Sequence, residues 1–164
     1  MIATPPHGSP KSDPDRGAGT FEDLYRRLWA PMVRLAWLLG GSREVAEDVV
    51  HDAFLGLEPR WRDVRDPEPY LRRSVVNGVR SHHRRRGVER RHRPAPQLAI
   101  FNPEVEEIWG AVAKLPDRQR QALVLRFYLD LTIEQVAEQL DCPLGTAKSL
   151  IHRGIVAVRK GIEK

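Results

Sequence analysis

The stretch TIEQVAEQLDCPLGTAKSLIHRG, residues 132–154, decides the fold. Thr132 and Gln135 have the spacing of a capping box: the threonine oxygen accepts from the third backbone N–H, and the glutamine reaches back to the threonine amide. Ile133, Val136, Ala137 and Leu140 follow at steps that lay one apolar face along a helix. Asp141 tolerates the left-handed turn geometry where Gly is usual, and Pro143 pre-sets the start of another helix. Helix, tight turn, helix is the predicted unit, with Ala137 small enough for a close crossing. A purely structural helical hairpin shares those features, so the weight falls on the second helix.

That helix is predicted over residues 144–160. At 100° per residue, Ala147, Leu150, Ile151, Gly154, Ile155 and Val158 fall on one side. Gly145, Lys148, Ser149, His152, Arg153, Arg159 and Lys160 fall on the other. The first side is a packing seam. The second has the chemistry of a major-groove reader, with Ser149 and His152 central, Lys148 and Arg153 suited to phosphate or guanine, and Gly145 and Thr146 at the positive end of the helix. Val156, on this face, has no role in that reading.

Upstream, LPDRQRQALVLRFYL starts a helix at Pro116, and Val105, Ile108, Trp109 and Val112 have helical spacing before it. Residues 87–102, GVERRHRPAPQLAIFN, hold no sustained period and read as a linker. Toward the N-terminus, Phe21, Leu24, Tyr25, Leu28, Trp29, Met32, Leu35, Ala36 and Leu39 make an apolar stripe over residues 20–39, with Thr20 as N-cap. Pro31 inside it predicts a kink or a break. Ser42 caps a second helix through Leu57, edged by Glu44, Glu47, Asp48 and Asp52. Asp66, Pro67 and Glu68 then form a strong helix start. On this third helix Leu71, Ser74, Val75, Gly78, Val79 and His82 point one way, while Arg73, Asn77, Arg80 and Arg84 form a basic stripe opposite.

No strand alternation of useful length occurs, so the fold class is all-α, two small helical domains joined by a flexible linker. The expected organisation is a disordered tail over 1–19, a first domain over 20–86, a linker over 87–103 and a second domain over 104–164. The tail has four Pro, three Gly and no apolar core, which predicts neither a signal peptide nor a membrane span.

Charge is distributed unevenly. The formal net charge is +5, yet residues 72–93 carry nine Arg against one carboxylate, Glu89. Between residues 42 and 58, Glu44, Glu47, Asp48, Asp52 and Glu58 face a single Arg43. Two surfaces of opposite sign predict two partners of opposite charge. Cys142 is the sole cysteine, so no intrachain disulfide forms and a cytoplasmic location is expected. His82 and His83 are adjacent and Cys142 has no spaced partner, so no metal or other cofactor is expected. No phosphate loop, carboxylate pair or nucleophile motif predicts catalysis.

AEDVVHDAFLGL with YLRRSVVNGVRSHHRRR, followed beyond the linker by LPDRQRQALVLRFYLDLTIEQVAEQLDCPLGTAKSLIHRG, resembles the extracytoplasmic-function sigma factors of bacterial RNA polymerase, in particular the short actinobacterial kind. The resemblance implies that region 2, residues 20–86, binds the clamp helices of the beta-prime subunit through Asp48, Val49, Asp52 and Leu55. It implies that the same region opens the minus-10 promoter element through Trp61, Arg62, Arg65, Arg72, Arg73, Asn77, Arg80 and Arg84, with Trp61 able to stack on a base. Region 4, residues 104–164, would read the minus-35 element through Thr146, Lys148, Ser149, His152 and Arg153 and touch the beta flap. The family often has Gly where Asp141 stands, Val where Ala147 stands and Arg where Leu150 stands, which implies one basic DNA contact fewer here. Core polymerase, promoter DNA and an anti-sigma factor are the partners so implied, with no membrane among them. Two rival classes share part of the pattern: a duplex-binding regulator that dimerises through its N-terminal helices, which the acidic helix beside a basic one argues against, and an adaptor that never touches DNA, which the clustered Arg argue against.

Overall fold

The computed structural model describes residues 19–40, 42–86 and 103–163, apart from the side chains of residues 86 and 103–106. Residues 1–18 of the tail expected over 1–19 and residues 87–102 of the linker expected over 87–103 lie outside the described residues. The described residues form seven α-helices: α1 (Phe21–Gly40), α2 (Arg43–Leu57), α3 (Pro67–Arg86), α4 (Pro103–Ala113), α5 (Asp117–Leu123), α6 (Ile133–Gln139) and α7 (Leu144–Ile162). A short 3-10 turn, Glu58–Arg60, follows α2, and no strand occurs among the described residues.

The N-terminal three helices pack mutually. The Thr20 amide donates to Asp23 Oδ2 at 2.9 Å and the Asp23 amide to Thr20 Oγ1 at 3.2 Å, so Thr20 is the expected cap. The Thr20 amide and then its hydroxyl hold the Asp23 carboxyl below its ordinary pKa. Ser42 takes the extended N-cap backbone of α2 without a side-chain cap bond. Of the kink or break expected at Pro31, the break does not occur: α1 is one continuous helix from Phe21 to Gly40. Pro31 and Arg27, whose carbonyl loses its helical partner, are both exposed, so that position is open to solvent while buried Leu28, Met32 and Leu35 hold the helix to the core.

Leu71, Val75 and Val79 of α3 have no exposed surface, and each contributes about 1.5–3 kcal/mol of burial. Val76, outside the predicted face, is buried as well, because α3 packs on both α1 and α2. Gly78 lets α3 approach α2: a Cβ there would lie 2.7 Å from Val49 Cγ1. Phe21, Tyr25, Trp29, Phe54 and Trp61 form a continuous aromatic cluster over the end of this bundle.

In the second group α7 is the hub, touching α4, α5 and α6. α5 does not run on as one α-helix; Val124–Tyr128 continue it as a π turn. Residues 120–125 are all buried, and the uninterrupted apolar run ALVL signals a helix enclosed on all sides. Gly154 of α7 lies against Leu123, whose Cγ would be 2.9 Å from an added Cβ. Gly154→Ala is therefore expected to destabilise this group by about 1 kcal/mol net, since overpacking outweighs the better helix propensity of Ala. Thermal unfolding followed by circular dichroism checks it, with a midpoint about 5 °C lower.

Candidate nucleic-acid and partner interfaces

The helix-turn-helix is built by local bonds. Thr132 and Gln135 form both halves of the capping box, Gln135 N–H to Thr132 Oγ1 at 3.2 Å and Thr132 N–H to Gln135 Oε1 at 2.8 Å. At the other end of α6, Asp141 adopts φ 49°. Its amide donates to the Glu138 carbonyl at 3.1 Å and the Cys142 amide to the Ala137 carbonyl at 3.0 Å. This is the paired bonding of a Schellman turn, with an aspartate in the left-handed position expected for it. Pro143 then precedes α7, and the Thr146 and Ala147 amides return to its carbonyl at 3.0 and 3.1 Å.

α7 divides as its sequence predicts. Ala147, Leu150, Ile151 and Gly154 are buried, with Ile155 and Val158 half-buried, whereas Thr146, Lys148, Ser149, His152 and Arg153 are all exposed on the outer side. Leu150 is 7% exposed, so the position that carries Arg in the resembled family belongs to the seam, and a charge there would have to reach out along its own methylenes. Around Gly145 nothing lies within 4 Å of an added Cβ, so the backbone at the positive end of α7 is open to close approach. Ser149 Oγ donates to the Gly145 carbonyl at 2.9 Å, which leaves its lone pairs to accept from a base amino group. Arg153 Nε donates to the Ser149 carbonyl at 3.3 Å, pinning the stem of the guanidinium along the helix. Val156 is 37% exposed on this face and nothing in the structure explains it.

On α2, Asp48, Asp52 and Leu55 share one outer face, and Leu55 is 52% exposed. Glu47 is engaged by Arg43 Nε at 2.9 Å, whereas neither Asp48 nor Asp52 forms an ion pair among the described residues. Bare carboxylates around a bare leucine are a surface for a basic partner with an apolar pocket. Val49 departs from the expectation: it is buried in the α2–α3 crossing against Gly78 and is not presented outward. One residue beyond Asp48, it lies 100° round the helix and faces the core.

The basic stripe of α3 is partly as expected. Arg73, Asn77 and Arg84 are exposed, Arg72 is half-buried, and Arg62 and Arg65 are exposed in the preceding loop. Arg80 is half-buried, and its Nη1 donates to the Gln139 carbonyl of α6 at 2.9 Å. Trp61 is half-buried, edge-on to Phe21 at 5.7 Å, so one rim of the ring is committed to the aromatic cluster. Two features have no forerunner in the sequence reading. Phe127 in the π turn is 61% exposed beneath the Arg126 guanidinium, and Arg120 is 3% exposed. Among the described residues no group of three or more His, Cys, Asp or Glu is placed to hold a metal ion, and no helix is long and apolar enough to cross a membrane.

Comparison with known proteins places both halves in one family, with Sigma-70 region 2 matching residues 21–88 and Sigma-70, region 4 matching residues 105–158. Among curated relatives, the RNA polymerase sigma-E factor of Streptomyces avermitilis is 27% identical over 154 residues, covering 87% of this chain and 85% of its own length. The ECF RNA polymerase sigma factor SigE of Mycolicibacterium smegmatis is 28% identical over 163 residues, and the chain spans 62% of it. The ECF RNA polymerase sigma factor SigW of Bacillus subtilis is 38% identical over 66 residues, 40% of this chain and 35% of the relative. Among solved structures, the sigma factor RpoE of Bartonella quintana, crystallised with the anti-sigma factor NepR, has the same fold, with a TM-score of 0.65 at 19% identity over 87% of this chain and 96% of that one.

Proposed function

This chain belongs to the sigma-70 family, in its extracytoplasmic-function branch, and from that premise we propose that it is a cytoplasmic initiation factor that binds core RNA polymerase, reads two promoter elements and helps melt the downstream one. The observation that carries this reading is the exposed outer face of α7, where Thr146, Lys148, Ser149, His152 and Arg153 stand together with no core duty. It has the shape and chemistry for a major groove, here the minus-35 element. Bases are read by Ser149 and His152 and the backbone is held by Lys148, Arg153 and the helix N-terminus.

The other two surfaces complete the reading. Asp48, Asp52 and Leu55 on α2 suit the beta-prime clamp helices, and the exposed Phe127 gives region 4 an apolar contact for the beta flap. Arg62, Arg65, Arg72, Arg73, Asn77, Arg80 and Arg84 supply the cations and the amide that strand separation at the minus-10 element needs, with the outer part of Trp61 available to an unstacked base. The protein contributes recognition and charge neutralisation, and the chemistry of RNA synthesis belongs to the polymerase. An anti-sigma factor is the natural antagonist, as NepR is in the solved complex of the Bartonella quintana protein.

Run-off transcription with purified core polymerase tests this function. The expected result is promoter-dependent transcript that needs this chain; tight binding of free duplex with no transcript would identify a conventional regulator instead. Within that assay, Asp48→Ala with Asp52→Ala is expected to weaken core binding about tenfold, as loss of two rim charges does. Arg80→Ala is expected to spare core binding and reduce open-complex formation, read by permanganate reactivity of unpaired thymines.

A further inference from the structure

α6, the first helix of the helix-turn-helix, runs only from Ile133 to Gln139, too short to hold itself, and arginines of the preceding helix grip the chain at both its ends. Arg118 of α5 donates through Nη2 to the carbonyl of Leu140, the C-cap of α6, at 3.3 Å. Arg126, in the π turn that continues α5, donates through Nη1 to the Leu131 carbonyl at 3.1 Å, one residue before the Thr132 cap. Asp130, at φ 53°, turns the chain between the two helices, and its carboxylate lies 3.6 Å from the same Nη1.

The two grips match in length. Arg118 and Arg126 are eight residues apart, about 12 Å along a helix, and Leu131 and Leu140 are nine residues apart, about 13 Å. The helices run in opposite directions, so the first arginine meets the end of α6 and the second its start. In an unbroken α-helix eight steps would turn Arg126 about 80° away from Arg118. The wider π turn takes back part of that rotation, and this gives Val124–Tyr128 a purpose.

The end of α6 needs such a donor. Its last turn contains no basic residue. The Asp141 and Cys142 amides close the Glu138 and Ala137 carbonyls, whereas the Leu140 carbonyl takes its donor from α5. Leu140 immediately precedes the turn through Asp141 and Pro143 that launches α7, so the grip on it sets how the outer face of α7 is presented.

We propose that Arg118 and Arg126 are positioning residues for duplex recognition, a two-point clamp that orients α6 and through it the reading face of α7, acting on carbonyls of the protein and not on phosphates. The proposal rests on the reading of α7 as the duplex-binding helix.

The test compares the full chain with Arg118→Met and Arg126→Met, which remove the donors, and with Arg118→Lys and Arg126→Lys, which keep one. The probes are a duplex that the original chain selects from a random pool and a scrambled duplex of the same composition, read by fluorescence anisotropy at two salt concentrations. Each methionine variant is expected to bind the selected duplex about fivefold more weakly, the loss of one hydrogen bond. Affinity for the scrambled duplex and the salt slope should not move, and the lysine variants should recover part of the loss. Amide exchange over residues 138–147 should quicken about fivefold in Arg118→Met. Equal losses on both duplexes with a slope shallower by about one unit would make the arginines phosphate contacts and overturn the positioning role. Unchanged exchange overturns the clamp, and an unchanged ratio of the two affinities overturns its part in recognition. If the original chain selects no duplex, the reading of α7 fails, and exchange alone decides the clamp. Where circular dichroism shows a methionine variant unfolded, glutamine at the same position takes its place under the same criteria.

Discussion

Lys148→Ala combined with Arg153→Ala is expected to lower affinity for a minus-35 duplex by about 30-fold or more. A charge-assisted hydrogen bond to a phosphate is worth about 1.5–3 kcal/mol, and each such contact adds about one unit to the salt slope. Two such losses on one helix face sum to at least about 2 kcal/mol. Both side chains are exposed and neither lies in the seam, so the circular dichroism spectrum and thermal midpoint should not move. Fluorescence anisotropy at two salt concentrations measures both quantities: the affinity drops and the slope of log K against log salt becomes shallower. A change of less than threefold would remove α7 from the reading of duplex DNA.

Gly78→Val is expected to have the largest effect on stability. A Cβ at this position already meets Val49 Cγ1 at 2.7 Å, and valine adds two methyl groups to the same space. Val49 is β-branched on its own helix and has one strongly preferred rotamer, so it cannot swing clear. Relief requires separating α2 from α3 along the seam that buries Val75 and Val79. The expected cost is about 3 kcal/mol, a large share of the 5–15 kcal/mol typical of a domain, with the midpoint of region 2 lower by about 10 °C or more. Asp48 and Asp52 lie on the same helix, so core binding should fall along with stability. If Gly78→Val melted within about 2 °C of the original chain, the close crossing would be wrong.

The candidate site was legible to different depths along the chain. On α7 the division into faces was read almost completely, because an exposed outer face and a packed inner one follow from period alone when a helix lies on one neighbour group. On α2 the family resemblance gave Asp48, Val49, Asp52 and Leu55 as one set; Asp48, Asp52 and Leu55 are exposed, whereas Val49, one residue round the helix from Asp48, is buried against α3. On α3 the stripe was right in composition, yet Arg80 is half-buried by a helix that follows it by more than forty residues.

Several features closed by bonds a few residues long can be read from residue order alone: the Thr20 and Thr132 caps, the left-handed Asp141 turn, the start of α3 at Pro67 and the two-sided character of α7. These depend on the residue types at positions within one or two turns of each other, and no other part of the chain can alter them much. Only the tertiary structure decided that Pro31 leaves α1 unbroken, that Leu38 and Val76 are buried, and that α5 passes into a π turn. It alone placed the Arg120 guanidinium on the Leu39 carbonyl at the end of α1. Each of those outcomes turns on how wide an arc of a helix its neighbours cover and on which distant carbonyl lacks a donor. A pattern within one helix contains neither quantity, because both arise only when helices far apart in sequence meet.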